Sequence, residues 1–124
     1  MPIQYVIDTT RQRLLTRADG LVTFEDLSEH LDAEERDRAL GLPELFDARG
    51  ATTNLTATEV RALVQRAAAA LRCNPLGPTA IVATDDVVFG MARMYAILTE
   101  QVGARVEVFR DVGSADRWLQ EVSR

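Results

Sequence analysis

The sequence predicts an α/β domain built on a mostly parallel five-stranded sheet, in the order ββαβαβαβα. Three observations carry that expectation. Short apolar stretches at 3–8, 13–17, 44–49, 79–84 and 105–109 are separated by longer stretches with apolar residues at helical spacing. The run Thr79-Ala80-Ile81-Val82-Ala83-Thr84 does not alternate, as expected of a strand covered on both faces. Helices standing between strands require crossover connections, and parallel pairing satisfies them.

The elements follow in order. Ile3, Tyr5 and Ile7 alternate with Gln4, Val6 and Asp8 in a first strand, and residues 9–12 turn the chain into a second over 13–17. Asp19-Gly20 is expected to end that hairpin, because glycine tolerates the positive φ of a turn. Thr23 is a candidate N-cap, with Glu25 and Asp26 at the positive end of the helix dipole. Phe24, Leu27 and Leu31 form that helix's apolar stripe, and residues 32–42 read either as its extension or as a solvated loop. Leu45, Phe46 and Ala48 mark the third strand, and 50–55 a polar loop. Thr56-Ala57-Thr58-Glu59 is a capping box, in which hydroxyl and carboxylate each satisfy the other residue's amide. Val60, Leu63, Val64, Ala67 and Leu71 follow at helical spacing, stopped by Asn74-Pro75. Asp85-Asp86 opens a third helix that Gly103 stops, and Ala115, Trp118, Leu119 and Val122 give a closing one.

Composition narrows the function. The 124 residues make one domain, long enough to bury roughly 68% of its unfolded surface without a disulfide or a metal. The net charge of −5 argues against a nucleic-acid binder driven by counterion release, and no apolar run approaches a membrane span. All 14 basic residues are arginine, which excludes a Schiff-base or phosphate-loop lysine. With one cysteine there is no internal disulfide and no cysteine-built metal site. The start Met1-Pro2-Ile3-Gln4-Tyr5-Val6 lacks the pattern of a secretory signal, so a cytoplasmic protein with Cys73 as a reduced thiol is expected.

Several stretches together resemble the SpoIIAA-like family, relatives of the STAS domain whose fold is shared with CRAL-TRIO lipid-binding domains. They are residues 20–26 (Gly-Leu-Val-Thr-Phe-Glu-Asp), 45–52 (Leu-Phe-Asp-Ala-Arg-Gly-Ala-Thr), 86–94, Val108-Phe109-Arg110, and 115–119 (Ala-Asp-Arg-Trp-Leu). The resemblance covers nearly the whole chain in element order. It implies a small non-enzymatic module used for binding or regulation. STAS members that antagonise anti-sigma factors carry a phosphorylatable residue, typically in an Asp-Ser-Ser-Gly run, where the loop after the third strand enters its helix. This chain has Thr52-Thr53-Asn54-Leu55-Thr56 there instead, so hydroxyls are present and the motif is missing.

The candidate sites follow from these readings. Thr52, Thr53, Asn54 and Thr56 form a candidate anion-binding or switch loop, or else a cap and a polar turn. Asp85 and Asp86 offer a carboxylate pair, although the helix dipole alone explains adjacent acids there. Arg93 is expected to pair with Asp47 or Asp85, with an anionic head group as the alternative. His30, the single histidine, is read as a solvated side chain, and Cys73 as a small, partly buried hydrophobe. No catalytic group, metal or cofactor is expected. The third helix carries an apolar excess in Phe89, Met91, Met94, Tyr95, Ile97 and Leu98. That surface is core, a homodimer or partner-protein contact, or the wall of a pocket for a small apolar ligand.

Overall fold

The structure is a computed structural model describing residues 2–123. Five strands run in the spatial order β1(Ile3–Asp8), β2(Arg13–Val22), β3(Glu44–Thr53), β4(Thr79–Val82), β5(Val106–Phe109). β1 and β2 form an antiparallel hairpin, and the other three pairings are parallel. The sheet is therefore mixed, with one antiparallel edge strand on a parallel body, as the predicted hairpin requires.

Strand order equals chain order. Right-handed crossovers in that order place α1(Phe24–Arg36), α2(Ala57–Cys73) and α3(Asp86–Gln101) on one face of the sheet. α4(Val112–Val122) covers the opposite face, where Ala115 and Leu119 pack on Leu45, Ala80 and Val82. Arg13, buried on that face, ion-pairs with Asp116 of α4. α4 packs mainly on β3, β4 and β5, and Val6 of β1 stays 63% exposed.

Local chemistry explains the ends of the helices. Thr23 caps α1 and Thr56 caps α2, each in a reciprocal box with the residue three positions on. Residues 32–36 continue α1, and the helix ends in a Schellman motif: Ala39 N–H donates to Glu34 C=O at 2.8 Å, and Arg38 N–H to Glu35 C=O at 3.1 Å.

Four expected strand boundaries are corrected. β2 does not stop at Arg17 but runs on through Asp19-Gly20 to Val22, absorbing a register shift between Arg17 and Asp19. That extension supplies a partner for residues 50–53, which form the end of β3 and not a loop: Gly50, Ala51, Thr52 and Thr53 pair with Asp19, Gly20, Leu21 and Val22. β4 and β5 are each shorter than expected, at four residues.

Candidate functional site

Strand parity decides what faces the three-helix layer. Glu44, Phe46 and Ala48 alternate onto that face of β3, in register with Leu14 and Thr16 of β2 and with Thr79 and Ile81 of β4. On α1, Leu27, His30, Leu31 and Glu34 fall at i, i+3, i+4 and i+7, so one face of the helix carries all four toward the sheet. A histidine and two carboxylates thus meet between the layers, each under 9% exposed.

The cluster is tight. His30 Nε2 stands 2.9 Å from Glu44 Oε2 in a hydrogen bond, and 2.6 Å from Glu34 Oε1 in an ion pair that lacks hydrogen-bond geometry. Beyond that ion pair, Glu34 Oε1 has no hydrogen-bond partner. Thr16 Oγ1 donates to Glu44 Oε2. The imidazole lies edgewise between the rings of Tyr5 and Phe46, with both centroids 5.5 Å away. The Tyr5 hydroxyl is anchored to α1 through the Ala33 carbonyl and the Asp37 carboxylate.

Burial pulls the His30 imidazole toward its neutral form, but the adjacent Glu34 and Glu44 carboxylates outweigh it and push its pKa up to about 10. Burial, then the nearby Glu44 charge, pushes Glu34 up to about 7 against the pull of His30. Burial also raises the Tyr95 phenol, with the Glu44 and Glu34 charges adding to it.

This buried cluster lines one end of a cavity of about 140 Å³ between the sheet and the helices. Its walls are apolar: Phe46 and Ile81 from the sheet, Leu27 and Leu31 from α1, Val60 and Leu63 from α2, Val88 and Met91 from α3. Space exists because Ala18, Ala48, Ala51 and Ala92 stand where larger side chains would fill it. Exposed Thr52 and half-buried Thr53 and Leu55 form its rim at the carboxyl ends of the strands.

The residues singled out from sequence distribute differently. Thr52 and Thr53 lie in β3. The Thr53 hydroxyl donates to Val22 C=O at 2.8 Å and accepts from Leu55 N–H. Thr56 is the N-cap of α2, and Asn54 is exposed between the two elements. Asp85 caps α3 by accepting from Val87 and Val88 N–H, while Asp86 pairs with Arg110 at 3.0 Å. Arg110 lies 3.9 Å over the Phe89 ring. The expected Arg93 ion pair is corrected: Arg93 is exposed, and Asp47 is held instead by a two-pronged contact with Arg49. Hydrogen bonds from Arg49 hold the Asp47 carboxyl below its usual range despite partial burial. His30 is buried and not solvated, because its helical position belongs to the Leu27–Leu31 stripe. Cys73 is exposed and not partly buried, since α2 ends there beyond the core. Of the third-helix group, Met91 and Tyr95 line the cavity, Met94 and Leu98 are half-buried, and Ile97 is 53% exposed.

A solved structure of an uncharacterised protein of the DUF3478 family from Shewanella loihica PV-4, with a SpoIIAA-like fold, superimposes with a TM-score of 0.60. The match covers 94% of this chain and 93% of that one, at 19% identity. This chain has a SpoIIAA-like fold. No protein-family model and no curated protein matches it. Within the SpoIIAA-like frame, the His30–Glu34–Glu44 cluster carries a sequence signal of its own. His30 and Glu34 occupy the inward positions of an otherwise apolar helix face, and Glu44 shares its parity with Phe46 and Ala48. No helix among the described residues is long and apolar enough to cross a membrane.

Proposed function

We propose that this SpoIIAA-like domain is a non-enzymatic binding module whose ligand is a small, largely apolar molecule held between the sheet and α1–α3. The observation that carries this is the cavity of about 140 Å³, apolar along its walls and open at the Thr52–Leu55 rim. A dry cavity of about 150 Å³ is large enough to take up benzene, so a single ring or a short chain is the matching size. Ligands of parallel sheets favour the carboxyl ends of the strands, where this rim lies.

The test is native mass spectrometry of freshly purified protein, followed by titration of ligand-free protein with toluene while methyl resonances of Leu27, Leu63 and Met91 are followed. A carried mass lost on denaturation, or saturable shifts at those methyls, supports the reading. Ala48→Leu places a larger side chain in the cavity and should abolish both. A bare protein whose methyls do not respond to toluene would overturn it.

A second reading has its own observation. Val87 and Ile97 on α3 are 54% and 53% exposed, large apolar side chains available for a homodimer or a partner protein. A dimer that Ile97→Glu converts to monomer would favour it.

A further inference from the structure

We propose that His30, Glu34 and Glu44 form a binding site for a divalent transition-metal ion of the zinc class. This rests on different atoms from the ligand reading and stands or falls independently of it. The donor set is one imidazole nitrogen and two carboxylates, which suits Zn²⁺, Co²⁺ or Mn²⁺. The donors come from two rigid elements. His30 and Glu34 are one turn apart on α1, Glu44 opens β3, and one ligand atom from each lies within 4.8 Å of the others.

Charge points the same way. Two carboxylates and one imidazole are enclosed together, with side chains 4–8% exposed. A dication bound to two carboxylates and a neutral imidazole leaves the enclosure with no net charge; without the ion, an imidazolium reaches the same balance only when one of the two carboxylates holds a proton. The independent sign of a missing partner is Glu34 Oε1, buried 2.6 Å from the imidazole nitrogen without a hydrogen bond of its own. A single N–H cannot serve two carboxylates, but a metal ion in its place can serve both.

The site needs a small opening. Metal–ligand bonds of about 2.1 Å separate neighbouring donors by about 3.4 Å in a tetrahedral site. The present spacings are 2.6 and 2.9 Å, so the two glutamates would rotate outward by under an ångström. The outer partners are already in place: Thr16 holds Glu44, and the Tyr5 and Phe46 rings fix the plane of the imidazole. All three donors border the cavity, so a fourth coordination position would face it.

The test uses chelator-stripped full-length protein, titrated with Zn²⁺, Co²⁺ and Mn²⁺ by calorimetry. The expected result is one equivalent bound, visible ligand-field absorption with Co²⁺, and affinity lowered more than about 100-fold by Glu34→Gln, beyond the loss typical of an outer partner. Glu29→Gln, the same charge change on the exposed side of α1, should leave affinity unchanged. Because His30 is the only histidine, its ¹⁵N imidazole resonances report coordination in the unmodified chain, whether or not a variant folds. Zn²⁺ should move Nε2 and not Nδ1. Folded, stripped protein that binds none of the three ions at millimolar concentration would overturn the proposal. So would binding that leaves the His30 resonances unmoved.

Discussion

His30 Nε2 lies 2.6 Å from Glu34 Oε1, one turn along the same helix, yet its hydrogen bond goes to Glu44 on a different element. The imidazole therefore ties α1 to β3 while leaving a second carboxylate beside it unsatisfied. In metal-free protein this asymmetry predicts opposite responses to two substitutions of similar size. His30→Leu removes the only positive group between two enclosed carboxylates and should cost about 3–5 kcal/mol. Glu34→Leu leaves a one-to-one His30–Glu44 pair and removes the unpaired oxygen, so it should be neutral or stabilising by about 1 kcal/mol. Denaturant unfolding in excess chelator at neutral pH measures both. Equal losses would mean that Glu34 contributes as much as the imidazole does.

The same pair sets the pH response of the chelated protein. His30 is raised from 6.5 to about 10, so its contribution is fully present below pH 6.5 and is lost as pH rises through about 10. Glu34 is raised from 4.5 to about 7, so the folded state holds a proton that the unfolded chain has released. That favours folding at low pH and fades between about 4.5 and 7. Both act in one direction: stability should fall from mildly acidic to alkaline pH, and His30→Leu should flatten the upper part of that decline. Unfolding midpoints at pH 5, 7 and 9 would check it, and stability rising with pH would contradict it.

Two glycine positions give a contrast between a crowded loop and an open helix face. A Cβ on Gly77 would lie 2.3 Å from the Leu42 carbonyl oxygen and 2.5 Å from its carbon. Both are backbone atoms, and Gly77 N–H is itself bonded to Leu40 C=O at 2.8 Å. Gly77→Ala must push the two loops apart, at an expected cost of about 1–3 kcal/mol. Gly90, inside α3, has nothing within 4 Å of its virtual Cβ. Gly90→Ala should stabilise by about 0.5–1 kcal/mol through helix propensity alone. Thermal unfolding of the two variants should show shifts of opposite sign.

What could be read in advance follows from the range of each interaction. The capping box at Thr56 and Glu59 is encoded within four residues, and it forms as expected. Alternating strands and helices imply the crossovers, and the hairpin implies the antiparallel edge. The length of β3 was not legible, because Gly50–Thr53 are held by the far end of β2, a pairing no local pattern announces. The cluster was half legible. The inward positions of His30 and Glu34 follow from helical spacing around Leu27 and Leu31. Their meeting with Glu44 depends on α1 crossing β3, a tertiary fact. Polar residues on an apolar stripe are the signal to weigh in such a chain, since enclosing them is costly unless something partners them.

The end of α1 carries a final prediction, because the backbone there also positions Glu34. Arg38 has φ +58°, the left-handed region that a non-glycine residue enters at a cost of about 1–2 kcal/mol. It does so as the penultimate position of the Schellman motif, whose outer bond ends on the carbonyl of Glu34. The Arg38 side chain is exposed, so replacing it removes little packing. Arg38→Gly relieves the left-handed penalty, and the extra freedom of glycine in the unfolded chain offsets about 0.5–1 kcal/mol of the gain. The net should be a stabilisation of up to about 1 kcal/mol, read as a higher denaturant midpoint with an unchanged slope. Arg38→Ala keeps the left-handed strain and should show no such gain. If the two variants behave alike, the turn is not strained at this residue, and the Schellman bonds alone hold Glu34 in place.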